Sequence, residues 1–128
     1  GADASSRLGD LARAESEFKA LQGELAPSDA LFSLAVERLA YIQEDLERVD
    51  EAIVTLQSAQ KAVGAGFYTD YLGYQLGRLY LNAGKVDEAR ATFQRVETNF
   101  PESSVRQQVK ERLASLDGEG PALNEVGK

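Results

Sequence analysis

The chain has 128 residues, 43 % of them hydrophobic, with 21 acidic against 14 basic side chains and a net charge of -7; that is enough apolar material for one globular core. It contains no Cys and no His, which excludes disulfides, thiolate metal sites, Cys nucleophiles and imidazole acid–base chemistry. Residues 1–69 hold 12 acids and 6 bases while residues 70–116 hold 6 and 7, and without a basic stripe neither nucleic acid nor an anionic membrane surface is an expected partner.

Apolar residues recur at helical spacing, and no segment alternates as a strand does. The first helix is expected over about 10–24, where Leu11, Ala14, Phe18, Leu21 and the following Leu25 cover more than one narrow face. Pro27 stops the chain and Asp29 offers an N-cap for a helix over 29–46, in which Leu31, Ala35, Leu39, Ile42 and Leu46 lie 4, 4, 3 and 4 apart. A helix over 49–63 carries Asp50 and Glu51 in its first turn, where the macrodipole favours them, and Gly64 and Gly66 suit its C-cap and turn. Helices follow over 69–83, ended by Gly84; over 86–98, ended by Asn99 and Pro101; and over 103–116, started by Ser103 and ended by Gly118. Residues 117–128, DGEGPALNEVGK, have turn composition and read as a flexible acidic tail. No apolar run approaches the roughly 18 residues of a membrane span and no signal peptide opens the chain, so direct membrane insertion is not expected. The absence of Met, with Gly at position 1, reads as a processed or excised piece of a longer protein.

Short connections force successive helices to run antiparallel, which gives stacked helical hairpins. An echo supports a repeat: VDEA stands at 49–52 and again at 86–89. Laid over one another, ERVDEAIVTLQSA, GKVDEARATFQRV and GDLARAESEFKAL bring Ala14, Ala52 and Ala89 into register. Phe18, Leu56 and Phe93 follow four residues on, and then Leu21, Ala59 and Val96, with unit spacings of 38 and 37. A small residue, a large one and a third apolar one on a single helix face is a pattern for close packing.

Residues 70–103, DYLGYQLGRLYLNAGKVDEARATFQRVETNFPES, resemble a tetratricopeptide repeat (TPR), whose usual length is about 34. Leu76, Gly77, Tyr80, Gly84, Ala89, Phe93 and Pro101 stand at the family's spacing, with Gly73 in place of its usual Trp and Val96 in place of a small residue. The preceding unit matches at Leu39, Ala40, Ala52, Leu56 and Ala59 but has Gln43 at the Tyr position and Gly64 at the Pro position. The resemblance implies an all-α fold: antiparallel helical hairpins stacked as a short right-handed TPR-like solenoid. Its divisions would be a partial first repeat over 1–25, a second over 29–66 and a third over 70–103, with a capping helix over 103–116 that sets Val105, Val109, Leu113 and Leu116 on one face.

In that family the first helix of each hairpin lines a concave groove that receives a partner segment. Carried over, the groove residues are Glu37, Tyr41 and Glu44, then Tyr71, Tyr74, Arg78 and Asn82, and finally Gln108 and Arg112. Tyrosines and an arginine suit interface anchors; the bland alternative is that Tyr71 and Tyr74 fill the space left by Gly73. The family's carboxylate clamp needs Lys and Asn where this chain has Glu37 and Tyr41, so a neutral or basic protein or peptide partner is expected rather than an acidic tail.

No catalytic residue, metal site or cofactor is assigned. EDLERVDE at 44–51 packs five acids into eight residues but lacks the Gly-containing spacing of a calcium loop. SAQK at 58–61 matches Ser-x-x-Lys without a companion motif and reads as solvated helix surface; GAGFYT lacks the Lys of a phosphate loop. The stretch FQRVETNFPESSVRQQVKERLASL, a repeat ending in Phe-Pro-x-Ser and followed by a helix closing on Arg-Leu-x-x-Leu, is similar to TPR proteins of the bacterial envelope, including the periplasmic cell-division coordinator and outer-membrane assembly lipoproteins. It favours a periplasmic or envelope-associated location, with the cytoplasm as the alternative. The expected function is a non-catalytic protein-interaction scaffold; the rival is a structural or self-association section of a longer solenoid, joined through the N-terminal helix, whose groove holds no peptide.

Overall fold

The computed structural model describes residues 2–65 and 68–118. Gly66 and the tail beyond Gly118 lie outside the described residues, and with them the turn and flexible-tail readings made there. The described residues form six helices and no strand: α1 (Ala2–Glu24), α2 (Ala30–Asp45), α3 (Val49–Val63), α4 (Thr69–Asn82), α5 (Val86–Asn99) and α6 (Arg106–Leu116). The fold is all-α. Contacts divide the chain into two compact units, Gly1–Leu72 and Gly73–Lys128.

In the first unit α2 packs on both α1 and α3. Phe32, Ala35, Val36, Leu39 and Ala40 of α2 and Ala52, Ile53, Leu56 and Ala59 of α3 are buried and form its core; each large aliphatic side chain so covered stabilises by about 1.5–3 kcal/mol. Asp29 is the N-cap of α2, its carboxylate accepting from the Leu31 N–H at 2.9 Å. α1 begins at Ala2 rather than near residue 10. Gly9, just ahead of the helix expected over about 10–24, is inside α1, exposed and with nothing within 4 Å of where a Cβ would stand. An interior Gly weakens a helix by about 1 kcal/mol, too little to stop one that no Pro or cap interrupts.

The second unit is built on Leu76, Leu79 and Tyr80 of α4, Ala89, Phe93 and Val96 of α5, and Val105 and Val109, all buried. A Cβ on Gly77 would lie 2.5 Å from Cε1 of Phe93, so the ring uses the space that the glycine leaves open. α6 packs on α5 and starts at Arg106, not 103. Ser103 is spent in a turn: its hydroxyl accepts from the Val105 N–H at 3.1 Å and its carbonyl from the Arg106 N–H at 3.1 Å. At the far end Arg90 of α5 donates to the Leu116 carbonyl at 3.3 Å and pairs with Asp117 at 3.3 Å, and Gly118 follows at φ 80°.

Candidate interaction surface

The expected groove residues divide between the two units. In the first unit α2 turns one face outward: Leu31, Leu34, Arg38 and Tyr41, spaced 3, 4 and 3 apart, are all exposed, Leu34 and Tyr41 by 39 % each. Glu37 and Glu44 border this face and are half-buried. Tyr71, at the start of α4, stacks nearly parallel on Tyr68, with ring centroids 4.6 Å apart and planes at 14°. The Tyr68 hydroxyl donates to Oε1 of Glu37 at 2.9 Å. One tyrosine therefore links the carboxylate on α2 to the ring on α4.

Tyr68 was not singled out from the sequence, and its conformation is unusual. It sits at φ 71°, in the left-handed region that side chains other than glycine rarely enter, a strain of about 1–3 kcal/mol that persists where the surroundings fix it. Here the surroundings are the Glu37 bond, the Tyr71 ring and a clasp behind it, the Thr69 hydroxyl donating to the Gly64 carbonyl at 2.9 Å. Burial, then the hydrogen bond to Glu37 and its negative charge, push the Tyr68 pKa up to about 12. The signal available is the aromatic pair three residues apart at a helix entrance, with Tyr71 inside the helix expected over 69–83 and Tyr68 just before it.

In the second unit Tyr74 leans on Phe93, centroids 5.9 Å apart and tilted by 44°, and the Arg112 guanidinium lies 5.9 Å over the Tyr74 ring. Tyr74 is thus half core and half platform for a cation–π contact. Arg78 donates through Nε to Gln75 at 2.8 Å, whereas Asn82 and Gln108 are exposed. Gly73 is buried.

A second feature also escaped the sequence reading. Glu15 of α1 is only 6 % exposed, yet it is well matched: Arg48 reaches Oε1 at 3.0 Å, the Gln43 amide donates to Oε2 at 3.3 Å, and Lys19 lies 3.6 Å away. Gln43, itself buried, accepts from the Thr55 hydroxyl at 2.7 Å. Among the described residues no buried side-chain polar atom lacks a partner. Gln43 at the repeat's Tyr position and Glu15 in register with Ile53, 38 residues on, were the clues in the sequence. Beside this network lies a hollow of about 370 Å³ lined by Lys19, Gln43, Asp50, Glu51, Val54 and Thr55.

The family model described as Tetratricopeptide repeat-like domain matches residues 1–118. The chain belongs to that family. Neither the curated proteins nor the solved structures include a match to it. A TPR-like domain is in general a protein-interaction scaffold and typically non-catalytic. No helix among the described residues is long and apolar enough to cross a membrane.

Proposed function

We propose that this TPR-like domain binds a neutral or basic segment of a partner protein along the outward face of α2 and the tyrosines beside it, as part of a bacterial cell-envelope complex on its periplasmic side. The observation that carries the reading is the run of Leu31, Leu34 and Tyr41, large apolar side chains left exposed on one face of a helix whose other face is core. Such a stripe edged by polar groups is what a docking surface requires. Glu37 and Glu44 bias it against an acidic segment. In the second unit Tyr74, Arg78, Asn82, Gln108 and Arg112 offer a further polar and aromatic surface. The envelope setting is supported by the Phe-Pro-x-Ser ending and the helix that follows it.

Photo-crosslinking tests the reading. A photoreactive residue in place of Leu34 or Tyr41 is expected to capture one partner protein, and Leu34→Asp should abolish capture from position 41. The same residue in place of Val54, which is 58 % exposed on α3, should capture nothing. Equal capture from all three positions would defeat it. A second reading, self-association through α1, is favoured by the exposure of Leu8 and Leu21 on that helix.

A further inference from the structure

Of the carboxylates that the first unit takes out of full solvent, Glu15 and Glu37 are compensated differently. Glu15 has Arg48 at 3.0 Å and Lys19 at 3.6 Å. Glu37, half-buried, has the Tyr68 hydroxyl at 2.9 Å and no Lys or Arg ion-paired to it among the described residues. Arg38 follows it directly in sequence, but consecutive residues leave a helix about 100° apart and do not face each other. A neutral hydroxyl donor satisfies one oxygen without neutralising the charge, and a partly desolvated carboxylate attracts a cation more strongly than one in water.

The surroundings favour the same ligand. Tyr68 is fixed in a strained conformation, stacked on Tyr71 and bonded to Glu37, so the rings are ordered before any partner arrives, which lowers the entropy lost on binding. A cation that reaches Glu37 arrives beside the Tyr68 hydroxyl, at the edge of the stacked pair. Tyr41, exposed on α2, stands four residues after Glu37 and so borders it on the same helix face. Residues 1–69, with 12 acids against 6 bases, draw cations toward it.

We infer that Glu37, Tyr68, Tyr71 and Tyr41 form a receptor for one cationic side chain, lysine or arginine, of a partner polypeptide. The inference rests on the docking reading above and gives that surface its anchor: a charged head held by the carboxylate beside the ordered tyrosines, with apolar neighbours of the same segment lying on Leu34 and Leu31.

The test is a heteronuclear NMR titration of the whole chain with N-acetyl-lysine-methylamide, N-acetyl-arginine-methylamide and, as the neutral isostere, N-acetyl-norleucine-methylamide. Saturable shifts at residues 37, 41, 68 and 71 are expected with the two cations and not with norleucine. Glu37→Gln should weaken cation binding about tenfold, the worth of one hydrogen bond to a charged group. Tyr68→Phe, which keeps the carboxylate but frees the ring, should weaken it less. Wild-type protein that gives no saturable shift with either cation, or responds equally to norleucine, overturns the inference whether or not Glu37→Gln folds. Unchanged affinity in a folded Glu37→Gln does the same. Crosslinking from Leu34 reads the docking surface separately: capture without cation binding removes this inference alone, while cation binding without capture removes the docking reading.

Discussion

Glu47 holds the backbone conformation that Gly84 holds 37 residues later: φ 61° and 77°. At the first turn the Arg48 N–H bonds to the Gln43 carbonyl at 2.8 Å and the Glu47 N–H to Glu44 at 2.9 Å; at the second the Lys85 N–H bonds to Tyr80 at 2.8 Å and the Gly84 N–H to Leu81 at 3.0 Å. The two helix ends share one Schellman closure, with a glutamate in one where the left-handed position calls for glycine.

The asymmetry has a measurable sign. An L-residue in the left-handed region costs about 1–2 kcal/mol and glycine's extra freedom when unfolded takes back about 0.4–1. Glu47→Gly is therefore expected to stabilise the chain and Gly84→Ala to destabilise it, each by up to about 1.5 kcal/mol. Urea melts with unchanged m-values check both.

At Gly77 two effects oppose each other. Alanine gains about 1 kcal/mol of helix propensity, but its Cβ would stand 2.5 Å from a Phe93 ring that is 0 % exposed and enclosed. Overpacking of about 1–3 kcal/mol is the larger effect, so Gly77→Ala should destabilise. Phe93→Ala should cost about 3–5 kcal/mol, and Ala89→Leu, at a site 0 % exposed, about 1–3 kcal/mol. Neutral outcomes in denaturant melts would mean that the α4–α5 register is wrong.

The repeat and its core were legible because they are periodic: Ala52, Leu56 and Ala59, and Ala89, Phe93 and Val96, are buried at the positions the register assigns. Asp29, Gly64, Gly84 and Gly118 end or start helices because their chemistry is local. What was not legible is set by a competing local turn at Ser103 and by distant partners at Glu15 and Tyr68. Ser103 resembles an N-cap in sequence, and only the turn that holds it shifts the helix start to Arg106. Glu15 reads as an exposed helix residue until Gln43 and Arg48, 28 and 33 residues away, are seen on it. Tyr68 reads as loop until Glu37, 31 residues earlier, takes its hydroxyl.

The Glu15 network predicts non-additive mutational effects. Gln43→Leu removes a donor from Glu15 and an acceptor from Thr55, leaving partly desolvated polar groups, at about 1–3 kcal/mol. Replacing the three together, Glu15→Leu, Gln43→Leu and Thr55→Val, leaves nothing stranded at those positions and should recover most of the loss, as apolar replacement of buried polar sets often does. A triple variant as unstable as the sum of the singles would show that packing, not polar pairing, governs the site.

Tyr68 gives an alkaline prediction. Its pKa is raised from 10.0 to about 12, so the fold binds the phenolic proton more tightly than the unfolded chain does. The stability it contributes is fully present below about pH 10 and is lost as pH rises through about 12. In an ultraviolet titration of tyrosinate, one of the five tyrosines should ionise last, and Tyr68→Phe should remove that final step. Its persistence in the Phe variant would assign it to another tyrosine.

α1 is the helix least covered by its own unit. Ala14 and Phe18 are half-buried and Leu21 is 40 % exposed, whereas Ala52, Leu56 and Ala59 on the matching face of α3 are each 0 % exposed. Leu8, 53 % exposed, extends the apolar strip toward the start of the helix. Apolar area removed from water stabilises by about 25 cal/mol per Å², so two such strips placed together favour association, and the residues that gain most are the exposed leucines. The chain is therefore expected to self-associate with rising concentration, and Leu8→Glu together with Leu21→Glu to return it to monomer. Because both side chains are exposed in the single chain, the double variant should keep its helical circular dichroism and lose about 1 kcal/mol of monomer stability or less. Light scattering decides it: wild-type protein that stays at monomer mass at about 1 mM, where an association of some 4 kcal/mol would already be half complete, would show that the exposed strip on α1 has no affinity for itself.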